Sequence, residues 1–334
     1  MSSDIVRVLN VFPLSAADRE RLSAVSPRLH IEHAEMSAIK ELADPELEVL
    51  VANRVPDLSR NPKLRWMQAG SAGVDHLIEA APWKHGIVLT NARGVYAVPL
   101  AEYVMTAMLA ASQKVDRRRV VQDGGRWPPS EVEFEATGLR GRTVVIVGYG
   151  TTGRELARLA SAFGMRVLAV KARPDVLTDT SFRIAGTGDP DGKIPERVVG
   201  LDQVAEVARE ADYLALTLPL TERSRGVISR EVLESLPSHA WVVNVARGAV
   251  VDEDALIDVL ASGRIAGAWL DVFTKEPLPP ESPLWNLSNV TLTPHLAGGN
   301  DGSWNVLTDL LIENFKRYLD HRPLLNVVDG KRQY

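Results

Sequence analysis

The chain reads as α/β, with two Rossmann-like domains built on parallel sheets. Three observations predict this. Short apolar runs alternate with amphipathic stretches along most of the 334 residues. A glycine-rich turn over 148–153 joins a strand-like run to a helix-like run. The length itself corresponds to about two domains at roughly 150 residues each.

In the N-terminal part, strands are predicted over 5–11, 29–33, 47–52, 64–68 and 87–90, with helices over 16–24 and 74–81. One long helix is predicted over 99–121. Pro99 falls in its first turn, where a missing N–H costs little. Ala101, Val104, Met105, Ala107, Met108 and Leu109 make a buried body, and Arg117-Arg118-Arg119 mark a solvated end. A second series has strands over 143–147, 166–170, 213–218, 241–244, 267–270 and 290–293. Its helices are predicted over 152–163, 201–210, 230–235 and 252–262, and a final amphipathic helix covers 303–319. Gly164 and Gly263 each follow a helical run, as C-caps do. The stretch 186–192 is polar and turn-rich and reads as an exposed loop.

Composition removes several function classes. Lys and Arg number 38 against 43 Asp and Glu, a formal charge of −5. No global positive field attracts a phosphate backbone, so nucleic acid and membrane surfaces are not expected partners. The 45% hydrophobic and 24% charged fractions argue against disorder. Cysteine is absent, which excludes disulfides, thiolate metal sites and a cysteine nucleophile; no metal site is predicted. Met1-Ser2-Ser3-Asp4 does not start a basic-then-apolar leader, and no stretch approaches about 18 apolar residues. A soluble cytoplasmic protein is the expectation.

Gly148-Tyr149-Gly150-Thr151-Thr152-Gly153 matches the G-x-G-x-x-G dinucleotide pattern in its proper setting, after a strand and before a helix. The first glycine permits a tight turn, the second lets backbone approach a pyrophosphate, and the third lets helix and strand pack closely. After the next strand, an NAD-preferring site carries Asp or Glu. Here Lys171 stands at that place, with Arg173 close by. Two cations suit a 2′-phosphate, so NADP is favoured over NAD. The competing reading is that both are solvated surface charges beside an unselective adenosine pocket.

Three later segments concentrate polar residues after apolar runs: Asn244-Val245-Ala246-Arg247-Gly248, Leu270 to Pro277 (LDVFTKEP), and Thr293 to Gly299 (TPHLAGG). In an open α/β sheet, ligands bind outside the carboxyl ends of the strands. With these segments, with GSAGVDHL from Gly70, NARGVYAVPLAE from Asn91 and Leu218-Pro219-Leu220-Thr221, the chain resembles the D-isomer-specific 2-hydroxyacid dehydrogenases over nearly its whole length. The wording is most similar to the glyoxylate/hydroxypyruvate reductase branch.

The resemblance implies a catalytic trio of Arg247, Glu276 and His295. A guanidinium holds the carboxylate and carbonyl of a 2-keto acid through forked donors. Histidine gives and retakes a proton near neutrality, and a carboxylate orients it. The resemblance also implies cofactor contacts at Leu218, Pro219, Val245, Ala246, Arg247, Asp271 and His295, with Asp271 meeting the nicotinamide carboxamide. Ser71-Ala72-Gly73 falls in the family's substrate loop, where successive amides make an anion-binding nest; a plain turn is the equal alternative. Tyr96 and Trp304 are read as packed aromatics first and pocket residues second.

The implied activity is reduction of a small 2-keto acid to the D-2-hydroxy acid by NAD(P)H. The implied layout has a substrate domain of 1–98 and 298–334, interrupted by a dinucleotide-binding domain of 99–297, in a homodimer. A phosphoglycerate or D-lactate dehydrogenase shares the fold; since the chain ends at Tyr334, no C-terminal regulatory domain is expected. A dinucleotide-sensing scaffold on the same fold is the alternative of a different class, and it predicts a degraded trio, which this sequence does not show.

Overall fold

The computed structural model describes residues 5–127, 130, 134–299 and 302–334; the Met1–Asp4 stretch read above for a leader lies outside them. The chain forms two compact units. One gathers Met1–Tyr96, Ser181–Ala185 and Asn300–Tyr334; the other gathers Ala97–Thr180 and Gly186–Gly299. The resemblance implies joins at 98/99 and 297/298 and does not foresee that 181–185 groups with the first unit. Among the described residues, no helix is long and apolar enough to cross a membrane.

The first unit holds a parallel sheet of β1 (Val6–Asn10), β2 (Leu29–His33), β3 (Val49–Val51), β4 (Trp66–Gln68) and β5 (Val88–Thr90), in the order β2-β1-β3-β4-β5. Helix α1 (Ala16–Ser23) starts at Ser15, whose hydroxyl accepts the Asp18 amide at 3.1 Å. Near the C-terminus of the chain, Asn326 and Val328 bond to the β5 segment, with Val328 N donating to Leu89 O at 2.8 Å.

The second unit carries seven parallel strands in the order β12-β11-β10-β9-β6-β7-β8. They are β6 (Thr143–Val147), β7 (Arg166–Val170), β8 (Arg197–Val199), β9 (Tyr213–Leu216), β10 (Trp241–Asn244), β11 (Gly267–Leu270) and β12 (Val290–Leu292). β6 is buried throughout, as a central parallel strand covered on both faces must be. Val144 and Ile146 point into one core with α2 (Ala97–Ser112) and α4 (Thr151–Ala162). Val145 and Val147 point into the other, with α5 (Val204–Ala208), α6 (Arg230–Ser235) and α7 (Glu253–Ala261). Helix α8 (Ser303–Leu319) belongs to the first unit, where Leu307, Leu310, Leu311 and Phe315 repeat at helical spacing and pack on Val6, Val8 and Trp66.

Four expectations need correction. The helix over 99–121 is two helices, α2 and α3 (Val115–Asp123), because Lys114 between them turns left-handed at φ 53°. The apolar spacing that supports α2 stops there, and no residue of α3 is buried. The helix over 74–81 is only a 3-10 turn at Asp75–Leu77, and Ala81 is left-handed at φ 41°. The helix over 201–210 splits into a 3-10 turn, Leu201–Gln203, and α5. Strand β8 was not foreseen at all.

The fourth correction concerns 186–192, which is a docked segment rather than an exposed loop. Asp189 is buried, and its carboxylate accepts the Tyr149 hydroxyl at 2.7 Å and the amides of Lys193 and Ile194 at 3.1 and 2.9 Å. The buried Arg154 guanidinium on α4 donates to the carbonyls of Asp189 and Leu177. Turn-forming composition was read as exposure, yet the Asp189 carboxylate and carbonyl and the Gly188 amide all find internal partners.

Candidate active site

The glycine turn follows β6 and opens α4. Gly148 is left-handed at φ 110°, and a methyl there would collide with the main chain of Leu218. A methyl on Gly153 would strike the Gly148 carbonyl, so this glycine sets the helix-to-strand approach. Gly150 instead faces open space. The amides of Gly150, Thr151, Thr152 and Gly153 find no acceptor among the described residues. Unspent amides at a helix N-terminus beside an open glycine are what a pyrophosphate requires, so these residues fit a dinucleotide. Tyr149 contributes main chain only, because its ring is buried and its hydroxyl serves Asp189. Thr217 Oγ1 donates to the Gly148 carbonyl at 2.7 Å and fastens Leu218 and Pro219 to the turn.

Lys171 and Arg173 follow β7, as the sequence indicates. The Lys171 ammonium is half-buried and donates to the Val176 carbonyl. Burial, and then the nearby Arg154 charge, push its pKa below the ordinary lysine value. The Arg173 side chain makes no hydrogen bond or ion pair with the described residues.

Arg247, Glu276 and His295 follow β10, β11 and β12, three adjacent strands of one sheet. The buried Asn244 shapes the first turn: its Oδ1 accepts the Ala246 amide at 3.0 Å and its Nδ2 donates to the Arg247 carbonyl at 3.1 Å. Val245 and Ala246 are thereby held in place. Gly248 lets this turn lie against Phe273, whose main chain leaves no room for a methyl. The Phe273 amide donates to Glu276 Oε1 at 2.9 Å, and Glu276 Oε2 meets His295 Nδ1 at 2.7 Å. That contact places a proton on Nδ1 and leaves Nε2 for a ligand. His295 itself is left-handed at φ 56°, a conformation that costs an L-residue about 1–2 kcal/mol.

Asp271 is buried at the end of β11, and its carboxylate is largely spent. Oδ1 accepts Thr293 Oγ1 at 2.6 Å and the Leu296 amide at 2.9 Å; Oδ2 accepts the Ala297 amide at 2.9 Å. Three of about four acceptor positions are filled. Its first task is therefore to hold the His295 turn, which leaves one lone pair for the carboxamide contact expected of it.

In the first unit, Ser71-Ala72-Gly73 follow β4. Their carbonyls are taken: Ser71 O by the Ala92 amide, Ala72 O by Asn91 Nδ2 at 2.9 Å, and Gly73 O by Ser71 Oγ at 2.8 Å. Their amides find no acceptor among the described residues. Asn53 Oδ1 accepts the Gly70 amide at 2.9 Å and anchors the loop. Tyr96 donates its hydroxyl to the Gly70 carbonyl, and Trp304 packs on Phe12 with ring centroids 5.6 Å apart. Both are structural contacts.

The profile of the NAD-binding domain of D-isomer specific 2-hydroxyacid dehydrogenases matches residues 105–297. The chain belongs to this family. A glyoxylate reductase of Korarchaeum cryptofilum is 33% identical over 310 residues, covering 86% of this chain and 88% of the relative. A hydroxypyruvate reductase of Thermotoga maritima is 30% identical over 272 residues, covering 79% and 82%. Among solved structures, a D-isomer specific 2-hydroxyacid dehydrogenase of Xanthobacter autotrophicus in complex with NADPH and MES is 28% identical. It superposes with a TM-score of 0.81 over 99% of this chain and 100% of that one.

This D-2-hydroxyacid dehydrogenase is thus an NAD(P)-dependent oxidoreductase of CH–OH groups that binds a nicotinamide dinucleotide. Asn53, which braces a ligand-facing turn, was not noticed in the sequence, and Asn91 and Asn244 were quoted within motifs but given no role. The available signal was position: Asn244 is the last residue of β10, Asn91 follows β5 directly, and Asn53 stands two residues after β3.

Proposed function

We propose that this dehydrogenase reduces small 2-keto acids of the glyoxylate or hydroxypyruvate kind to D-2-hydroxy acids, with NADPH preferred. The observation that carries the reading is the His295–Glu276 contact at 2.7 Å, one strand away from Arg247. The second unit is the dinucleotide unit, held by the glycine turn, Leu218, Pro219, Val245, Ala246 and Asp271. The first unit is the substrate unit, with the open amides of Ser71, Ala72 and Gly73 as its own anion-facing groups.

Nicotinamide, when bound, supplies the hydride. Arg247 binds the carboxylate and polarises the adjacent carbonyl through fixed donors. His295 Nε2 delivers a proton to the carbonyl oxygen as charge builds there, and Glu276 holds the ring and balances the imidazolium. NADPH preference is assigned to Arg173 and Lys171: one N–H of the Lys171 ammonium goes to the Val176 carbonyl and two remain for a 2′-phosphate. A homodimer is part of the proposal, supported by the exposed Val115 and Val120 of α3, which a second copy would cover.

The test is initial-rate oxidation of NADPH and NADH with glyoxylate, hydroxypyruvate, pyruvate and phenylpyruvate in turn. Turnover with glyoxylate or hydroxypyruvate, faster with NADPH, is expected. His295→Ala should cut it by roughly 10²- to 10⁴-fold with dinucleotide binding retained. Full turnover in that variant removes His295 from the chemistry.

A further inference from the structure

The His295 turn is held by a chain of hydrogen bonds that reaches back to helix α2. The indole Nε1 of Trp269 on β11 can only donate, and it donates to Tyr103 Oη at 2.7 Å. The Asp271 carboxylate receives Thr293 Oγ1 at 2.6 Å together with two main-chain amides. The Thr293 hydroxyl proton is thereby committed to Asp271, so its oxygen takes the Tyr103 proton. Every proton has one place: Trp269 to Tyr103 to Thr293 to Asp271. Burial raises the Tyr103 pKa above the ordinary phenol value, so the residue stays a donor.

The receiving end of this chain is the turn that carries His295. The His295 amide donates to the Asp271 carbonyl at 2.8 Å, and the next two amides go to the Asp271 carboxylate. A left-handed, non-glycine residue persists only where its surroundings over-determine it. Residues 293, 295, 296 and 297 all converge on Asp271, and Tyr103 adds a second hydrogen bond to Thr293, the one residue among them that reaches Asp271 through its side chain.

We infer that Tyr103 is a positioning residue for His295, acting from α2 through Thr293 and Asp271. This rests on the reading of His295 as the proton donor. Loss of the Tyr103 hydroxyl frees Thr293 to rotate, loosens the carboxylate, and lets the imidazole leave its line to the substrate. Misplacement on the scale of 1 Å costs about 10²-fold in rate.

The experiment compares Tyr103→Phe, Thr293→Val and Thr293→Ser with the wild-type protein by two readouts. In steady state with NADPH and the best 2-keto acid, kcat should fall about tenfold or more in the first two variants, with both KM values nearly unchanged. Thr293→Ser, which keeps the hydroxyl, should keep most of the rate. The Tyr103→Phe/Thr293→Val pair should be no slower than the worse single variant, since both break one chain. Amide hydrogen exchange at 295–297 should speed up about tenfold in the same two variants, with or without substrate. Unchanged exchange at these amides overturns the inference, as does unchanged kcat in an active background. A wild-type protein that reduces no 2-keto acid would count against the proposed reaction, while the exchange comparison would still decide the positioning.

Discussion

At Gly248 one hydrogen in place of a methyl decides whether two strand-end turns can lie together. The main chain at Phe273 and Thr274 fills the space where a Cβ would stand. Gly248→Ala therefore forces the Arg247 turn away from the segment that carries Glu276. Overpacking of this kind costs about 1–3 kcal/mol, so thermal melting should move down by several degrees. Turnover should fall further than stability alone explains, because the neighbour displaced is Arg247. At Arg173 the argument is electrostatic. A charge-assisted hydrogen bond contributes about 1.5–3 kcal/mol, so Arg173→Ala should cost NADPH roughly 10- to 100-fold in kcat/KM. NADH, which has no 2′-phosphate, should change little. Equal losses with both cofactors would show that the guanidinium does not read the phosphate.

Among the elements, the docked segment around Asp189 makes a prediction of its own. Burial alone pushes the Asp189 carboxyl up, but the Tyr149 hydroxyl and the amides of Ile194 and Lys193 outweigh it and hold the group below the usual carboxylate range. A depressed folded value means that the anchoring is complete above the unfolded pKa and is lost as pH falls through the folded one. Hydrogen exchange in 177–194 should accelerate in acid before the sheets open. Asp189→Asn should remove that dependence and exchange quickly at neutral pH. Identical acid profiles in the two proteins would detach Asp189 from the segment's stability.

The same segment shows where sequence reasoning stops. Central strands such as β6 and β10 are legible because a buried parallel strand must be apolar throughout. The glycine turn is legible because its constraints are local. Docking of GTGDPDG is not, because a buried Asp189 depends on Tyr149 and Arg154, which lie far away in the chain. Likewise the residues after β7 are visible, but the direction taken by the Lys171 side chain is set by the Val176 carbonyl. The break at Lys114 escaped because the residues beyond it continue a helix-compatible composition. Tyr103 escaped because its partners, Thr293 and Trp269, come from two distant strands.

For the whole molecule, strand order explains why the site collects where it does. In the seven-stranded sheet, β6 lies between β7 and β9, so the connections leave it in opposite directions. A crevice opens at such a reversal, outside the carboxyl ends of the strands. Gly148, Lys171, Leu218, Val245, Asp271 and His295 all follow strand ends on that edge. The first unit repeats the rule on its own sheet, with β1 between β2 and β3 and the Ser71 loop after β4. The central claim is that these residues reduce the carbonyl of a 2-keto acid with fixed handedness. Its most direct test is chiral analysis of the product made from hydroxypyruvate and NADPH. One D-glycerate per NADPH oxidised is the result expected. L-glycerate, or NADPH oxidation without glycerate, would contradict the account.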